Sequence, residues 1–420
     1  EDIESMSVLS GAAASALYGS EAANGVIMIT TKKGTADKLH VSYANNTSFY
    51  SPFVTPDFQN TYGAATGSFQ SWGQKLAQPS DYDPLDFFQT GWNETNSITL
   101  SNGTEKNQTF LSMAATNAEG IVQNNTYDRY NFTIRNTTSM LNDKLRLDLS
   151  ASYVNIREQN MISQGQYFNP IFPFYLMSPS YSLETYQLFE MYDESRGFKT
   201  QYWPWGNMGL AMQNPYWITN RDNFINTKNR FLVSGGLNWD IAKGITLGGR
   251  AKVDYTAAIN EKKYSASTDA IFAQRYGAYY KADASTRQLY GDLMLNIDKY
   301  FGDFSLTATL GASIQDVNYA YYSVGGDLNS VANSFTLKNL NLANAEHDQD
   351  GYHDQTQSLF ATAQLGWQSK LYLDVTGRID WSSALAWTNS KNVAYPSVGL
   401  SAILTDLFPI KNDVLTFLKV

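Results

Sequence analysis

Apolar and polar side chains alternate along several long stretches of the chain. Between Leu145 and Tyr153 the odd-numbered positions are apolar, whereas even-numbered positions such as Arg146 and Asp148 are polar or charged. A period of two is the pattern of a β-strand that has one face in an apolar environment. The same alternation on both sides of a short turn predicts β-hairpins over residues 130–155, 231–255, 289–314 and 359–381.

The predicted strands are about ten to thirteen residues long, which is longer than the ~5–6 residues usual in globular sheets. A strand that crosses a membrane needs ~9–11 residues. On this interpretation Leu145, Leu147, Leu149 and Ala151 face lipid, and Arg146 and Asp148 face the lumen of a barrel. Alternation alone leaves a large soluble β-sandwich as an alternative.

The connections between the strands alternate strictly in length. Short turns are predicted at 102–107, 141–143, 242–244, 299–303 and 368–370, and long polar loops at 51–96, 157–226, 257–287 and 317–356, with a medium connection at 118–128. This alternation is typical of outer-membrane β-barrels, which have short periplasmic turns and long extracellular loops. A soluble sandwich has no physical reason to keep it.

Composition narrows the possible functions further. The chain has 420 residues, no cysteine and a formal net charge of -9, which excludes disulfides and thiolate chemistry and disfavours a nucleic-acid partner. Aromatic residues make up 14% and charged residues only 16%. The sequence has no apolar run long enough for a transmembrane helix, so a membrane-spanning structure built from this chain has to be a closed β-barrel.

Residues 1–34 carry the most specific motif of the chain. They contain an acidic first strand, an Ala-rich helical turn ending at Tyr18-Gly19, the turn Asn24-Gly25 and a second strand, and they read EDIESMSVLSGAAASALYGSEAANGVIMITTKKG. This segment resembles the end of the plug domain of TonB-dependent transporters, most closely the SusC-like branch of Bacteroidota. In that resemblance Tyr18, Gly19, Asn24 and Gly25 build the plug and are not a binding site. Residues 97–153, 212–217 and 392–404 resemble barrel hairpins, a loop element and a mid-barrel strand of the same family.

The resemblance implies an all-β fold with two regions. We expect residues 1–36 to be the C-terminal part of an α+β plug domain and residues 37–420 to be the N-terminal half of a transmembrane antiparallel β-barrel. The complete barrel of the family has roughly 22 strands around a plugged lumen, of which about thirteen are expected here. The rest of the plug is expected before Glu1 and about nine strands after Val420.

The resemblance also implies a function and a location. Members of the family import nutrients through the bacterial outer membrane; the expected partners are a SusD-like surface lipoprotein, the TonB–ExbB–ExbD complex and outer-membrane lipid, and no cofactor is expected. The expected substrate is an oligosaccharide or an oligopeptide. Two alternatives remain: a surface glycan-binding or adhesin β-protein without transport, and a passive porin, which the plug-like segment argues against.

Two loop segments are candidate sites. Trp203, Trp205, Tyr216 and Trp217 make the loop around residues 202–217 unusually aromatic, so it is expected to contact substrate or the lipoprotein, with packing among its own rings as the alternative. Asp348, Asp350 and Asp354 lie in a run rich in His and Asp that is a weak metal candidate, since the distal Glu of a calcium loop is absent. No nucleophile elbow, phosphate loop or HExxH motif is found, so an enzyme is not expected.

Overall fold

One antiparallel sheet of twelve strands dominates the computed structural model, which describes residues 3–9, 19, 22, 24–36, 38–162, 165–205, 213–408 and 416–420. Its strands are β3 (His40–Tyr50), β4 (Gly91–Gly103), β5 (Asn107–Glu119), β6 (Thr126–Met140), β7 (Leu145–Gln159), β10 (Asn223–Ala242), β11 (Ile245–Tyr264), β12 (Ala278–Phe301), β13 (Phe304–Asp327), β14 (Glu346–Trp367), β15 (Leu371–Ser382) and β16 (Asn392–Ala402). Two small sheets stand apart from it, β1 (Ile3–Leu9) with β2 (Val26–Thr31), and β8 (Glu190–Asp193) with β9 (Phe198–Gln201).

Successive strands of the large sheet pair as antiparallel neighbours, and β7 pairs with β10 because β8 and β9 belong to the long connection between them. The predicted short turns are confirmed. Asn142 and Asp143 close the β6–β7 turn with φ of 55° and 64°, and Gly244 and Gly302 close two others with φ of 68° and 58°. Asn, Asp and Gly tolerate this left-handed conformation, which explains why these residues stand at the turns. The short turns therefore form one end of the sheet, the short-turn end, and the long loops form the opposite long-loop end.

The strands are longer than the sequence pattern predicts. β12 and β13 each have 24 residues and β14 has 22, so much of the predicted loops at 257–287 and 317–356 is strand. The actual loops span 265–277 and 328–345. That part of the prediction is wrong because neither face of the strands carries a run of large aliphatic residues near the long-loop end, where polar residues are mixed with Ala, Gly and Tyr. The period of two then disappears from the sequence while the backbone ladder continues without interruption.

One face of the sheet carries an apolar band next to the short-turn end. On β12 this face is apolar from Ile297 to Leu289 and becomes polar at Arg287, and on β13 it changes between Ile314 and Asp316. Leu293 and Leu310 in the band are 56% and 61% exposed, so nothing in the described protein covers them. An uncovered apolar face of this extent fits a lipid environment. No described helix has the length and apolar character required to cross a membrane.

Two long loops and the shorter connection between β5 and β6 pack together into an aromatic cap, defined by the buried residues Phe87, Val122, Phe174, Met177, Leu183, Tyr186 and Tyr216. Its helices are α1 (Ile171–Leu176), α2 (Leu183–Gln187) and α3 (Pro215–Arg221). The side chain of Asn214 caps α3 by accepting a hydrogen bond from the Tyr216 backbone N–H at 2.9 Å. Phe87 packs against Phe174 and Tyr216 with ring centroids 4.4 and 5.2 Å apart.

The last described residues pair with the end of β16 at the short-turn end. After β16 and the short helix α4 (Leu404–Leu407), the Val420 N–H donates to the Ala402 carbonyl at 3.0 Å, and the Ala402 N–H donates to the Val420 carbonyl at 2.8 Å. About thirteen barrel strands were expected, and the described residues form twelve in the large sheet.

Candidate functional site

The face opposite the apolar band carries ion pairs. Four arginine–aspartate pairs lie on it with N–O distances of 2.5–2.6 Å: Arg135–Asp148, Arg230–Asp254, Arg250–Asp292 and Arg378–Asp380. Strand parity puts all eight residues on the same side of the sheet, because the register from β6 to β15 has no shift between these residues. Charges at this depth require water or protein around them and not lipid, so this polar face is the lumenal face.

The aspartate of the pair on β11 and β12 is the most enclosed of the four carboxylates. The Asp292 side chain has no exposed surface, and its Oδ2 accepts hydrogen bonds from Arg250 Nη2 at 2.6 Å and from the Tyr290 hydroxyl at 2.7 Å. Asp254 binds Arg230 in a two-bond fork at 2.8 and 2.6 Å. Such forked bonds hold the guanidinium in one orientation, which makes the lumenal wall rigid and polar.

The N-terminal hairpin of β1 and β2 docks against these lumenal charges. Arg135 Nη1 donates to the Thr31 carbonyl at 2.9 Å and to the Thr31 hydroxyl at 2.8 Å while the same guanidinium holds Asp148. The Thr35 N–H donates to the Ser101 hydroxyl at 2.9 Å. Arg135 therefore ties the hairpin to β6 and, through Asp148, to β7.

Gly19, one of the predicted plug residues, lies at a second contact between the N-terminal segment and the large sheet. Gly19 has a φ of 78°, and any Cβ at this position would collide with the carboxylate of Asp380, which is bound to Arg378. Asn24 lies in a turn and Gly25 has a φ of 96°. Tyr18 and most of the predicted helical turn lie outside the described residues. Glycine at position 19 thus allows the segment to approach β15 closely.

A pocket of about 530 Å³ lies on the lumenal face near the long-loop end. Its wall includes Asn260, Lys262, Tyr280, Tyr321 and Asp348. Tyrosine rings beside polar and charged groups can bind sugar rings or peptide groups by combining apolar contact with hydrogen bonds. We call this the mouth pocket.

The acidic run that was a weak metal candidate is not a loop. Asp348, Asp350 and Asp354 lie on β14 and share its lumenal face, where the first of them borders the mouth pocket. Alternate residues of a strand are ~6.6 Å apart, whereas a cation binds all its ligands at ~2.4 Å. The strand therefore separates these carboxylates, and in the described part of the chain no group of three metal-binding side chains converges.

The aromatic residues of the 202–217 loop are divided between packing and partial exposure. Tyr216 and Trp217 are 5% and 1% exposed, and Trp217 Nε1 donates to the Thr268 hydroxyl at 3.0 Å. These two rings pack within the protein, which was the alternative to ligand contact. Trp203 and Trp205 are half-buried against the aromatic cap, and Trp205 Nε1 donates to the Tyr186 hydroxyl at 3.2 Å. Residues 206–212 lie outside the described part of the loop.

A buried carboxylate joins α3 to the β11–β12 loop. Asp222 is 1% exposed, and its Oδ1 accepts hydrogen bonds from the Thr268 hydroxyl at 2.7 Å and the Ser265 N–H at 3.2 Å. Its Oδ2 is buried without a partner among the described residues. Burial raises the pKa of Asp222 to about 7, and the two hydrogen bonds offset only part of the effect.

Sequence reasoning placed single charges such as Asp148 toward the lumen but missed the ion pairs and Asp222. Arg250 and Asp292 are 42 positions apart in the sequence and meet only through the register of β11 with β12. The one available signal was the regular spacing of charges on the polar face of predicted neighbouring strands. For Asp222 the sequence contains no such signal.

Comparison with known proteins relates the chain to one group of receptors. No family model matches the sequence. The "TonB-dependent receptor SusC" of Bacteroides thetaiotaomicron is 27% identical over 226 residues, covering 51% of this chain and 22% of that protein. "TonB-dependent receptor P26" of Formosa agariphila is 25% identical over 427 residues, covering 94% of this chain and 40% of that protein. The matched regions thus span less than half of these curated relatives.

Solved structures share the fold. The RagAB peptide importer in its "closed-closed" state has a TM-score of 0.73 at 19% identity, and the match covers 98% of this chain and 50% of that one. The siderophore receptor PiuA of Acinetobacter baumannii has a TM-score of 0.51 at 11% identity, covering 96% and 51%. The sequence motif of residues 1–34, the antiparallel sheet and these relatives all indicate the same group of proteins. The chain is therefore similar in sequence to TonB-dependent receptors of the SusC type and shares its fold with the solved RagAB structure, which together indicate a β-barrel protein of the outer membrane.

Proposed function

We propose that this chain provides the lumenal wall and the barrel-side plug contacts of a TonB-dependent importer of oligosaccharides or oligopeptides. Residues 1–36 act as the end of the plug and residues 37–420 as the first half of the barrel. A SusD-like surface lipoprotein delivers substrate, and the TonB–ExbB–ExbD complex supplies the energy. The protein binds its substrate and lets it pass, and performs no covalent chemistry.

The observation that carries the proposal is the docking of the N-terminal hairpin on lumenal charges. Arg135 holds Thr31 through two hydrogen bonds and holds Asp148 through an ion pair. These contacts are polar and few, so a pulling force on the plug can break them and water can replace them. A hairpin fixed by an apolar core would resist such movement far more strongly.

The mouth pocket provides a place for substrate above this contact. Its tyrosines and charged side chains suit a polar oligomer, and strand parity puts them on the same face as the ion pairs. Both substrate classes fit this chemistry. RagAB, which shares the fold, is described as a peptide importer, and peptides are therefore tested beside glycans.

Uptake measurements test the proposal. Cells that express the intact protein together with its SusD-like lipoprotein partner are offered labelled oligopeptides and oligosaccharides, with and without a protonophore. We expect saturable uptake of one class that stops when the proton gradient collapses, and co-purification of the lipoprotein with the protein. Surface binding without gradient-dependent uptake would instead indicate a glycan-binding or adhesin protein and would refute the proposal.

A further inference from the structure

A second pocket of about 490 Å³ lies among the loops of the long-loop end, away from the mouth pocket. It is bordered by the turn between β8 and β9 and by the β11–β12 loop. Ser195, Arg196, Ser267, Gln274 and Arg275 line it. The two arginines are its only charged lining residues, so its chemistry differs from the acidic β14 side of the mouth pocket.

Specific hydrogen bonds hold the two sides of this pocket together. The Gln201 N–H donates to the Ser267 hydroxyl at 3.0 Å, and Gln201 Nε2 donates to the Ser267 carbonyl, also at 3.0 Å. Ser267 adopts a φ of 93°, which is costly for a residue with a side chain. On the other side, Asp193 Oδ1 accepts from the backbone N–H groups of Ser195 and Arg196 at 2.9 and 3.2 Å. The pocket is therefore a built structure and not a gap between two mobile loops.

The two arginines meet although their charges repel. Arg196 Nη2 donates to the main-chain carbonyl of Arg275, and the Arg196 guanidinium lies 4.7 Å from the ring centre of Phe198. Neither arginine forms an ion pair with a carboxylate of the described residues, and Arg196 Nε is buried without a hydrogen-bond partner among them. Burial and the charge of Arg275 lower the pKa of Arg196, against an opposing effect of Asp193. A bound anion would offset this repulsion.

We propose that Arg196 and Arg275, with the hydroxyl of Ser267, bind an oxyanion group of the imported molecule, a carboxylate or a sulfate. Each guanidinium can donate two N–H groups to such oxygens. The Ser267 hydroxyl accepts from the Gln201 N–H and can donate to a further oxygen, whereas the Ser195 hydroxyl already donates to Asp193 Oδ1 at 2.6 Å. None of the described residues that line the pocket is aromatic and could stack on a neutral sugar. This inference rests on the proposed import function, and it makes negative charge a feature by which substrates are selected.

Anion binding is measured on the purified intact protein at constant ionic strength. Sulfate and acetate are the probes, and calorimetry and hydrogen exchange over residues 195–201 and 265–275 are the readouts. Wild-type protein is expected to bind sulfate saturably and to exchange more slowly in both segments. Arg275→Gln and Arg196→Gln should weaken binding at least tenfold, and Arg275→Lys less. Lys338→Gln removes an exposed charge from another loop of the same end and should change nothing.

The outcomes separate this inference from the proposed function. Absence of saturable sulfate binding by the wild type would overturn the site, as would equal affinity in Arg275→Gln and Lys338→Gln. Because the variant Arg275→Gln changes an exposed side chain and keeps the main-chain carbonyl, it is expected to fold. Energised uptake is measured separately in cells, so loss of the anion site leaves the import proposal standing, and absence of uptake leaves the binding result intact.

Discussion

Replacing Arg135 by Gln should release the N-terminal hairpin from the lumenal wall. The guanidinium makes two hydrogen bonds to Thr31, at 2.9 and 2.8 Å, and its side chain is 15% exposed. A hydrogen bond that involves a charged group contributes ~1.5–3 kcal/mol. Since water can replace part of the interaction, we expect the loss to be about 3 kcal/mol, which raises the population of the undocked hairpin by roughly 100-fold.

Hydrogen exchange in the intact protein measures this change directly. Amides of β2 should exchange roughly 100-fold faster in Arg135→Gln if exchange follows local opening. Arg230→Gln is the matched control, because Arg230 also pairs with a lumenal aspartate but has no hydrogen bond to the hairpin among the described contacts. Equal acceleration of β2 in both variants would refute the reasoning, since it would show that loss of any lumenal ion pair loosens the hairpin.

Three further predictions concern the membrane face and the loops. Leu147→Arg should destabilise the inserted protein by ~2–4 kcal/mol, and cysteine labelling should find position 146 accessible to water and position 147 not. Trp367 and Trp381 lie on the apolar face near opposite ends of the β14–β15 ladder. Indole rings prefer the headgroup level, so both should be quenched best by lipids brominated near the headgroups, and strongest quenching at the bilayer centre would contradict this strand register. Because the folded-state pKa of Asp222 is raised from 3.8 to about 7, its ionisation opposes folding, so loop stability is greatest below about pH 4, falls on the order of 4 kcal/mol as the pH rises from about 4 to 7, and changes little above that. Asp222→Asn should remove that dependence in pH-jump proteolysis of the loops, and an unchanged pH profile would show that Asp222 is not responsible.

Strands with one apolar face were predictable from the sequence alone. The alternation at Leu145–Tyr153, the turn at Asn142-Asp143 and the face assigned to Asp148 all follow from local chemistry, and the structure agrees with them. Lipid contact imposes a period of two, and left-handed turns demand particular residues. Both constraints act within a few residues of the chain.

The long-loop end was less predictable because its constraints are not local. β12 and β13 continue where polar residues are mixed with Ala, Gly and Tyr on both faces, so no aliphatic stripe marks them as strands. The sequence predicts that Trp217 is an exposed aromatic residue. A hydrogen bond to Thr268, which is 51 residues further along the chain, holds it inside the protein instead. The pocket of Arg196 and Arg275 likewise forms only when a turn and a distant loop meet.

The strands that rise beyond the apolar band change where selection can take place. Residues 278–288 of β12 precede the first lipid-facing residue of that strand, Leu289. Eleven residues at ~3.3 Å each and a tilt of ~40° raise the wall by ~28 Å above the band. An entering molecule would therefore contact a stiff, hydrogen-bonded β-sheet wall well before it reaches the level of the lipid tails. Side chains on such a wall keep fixed spacings. Substrates of different length would therefore contact different numbers of these side chains, so the wall can discriminate between them without the closing of flexible loops.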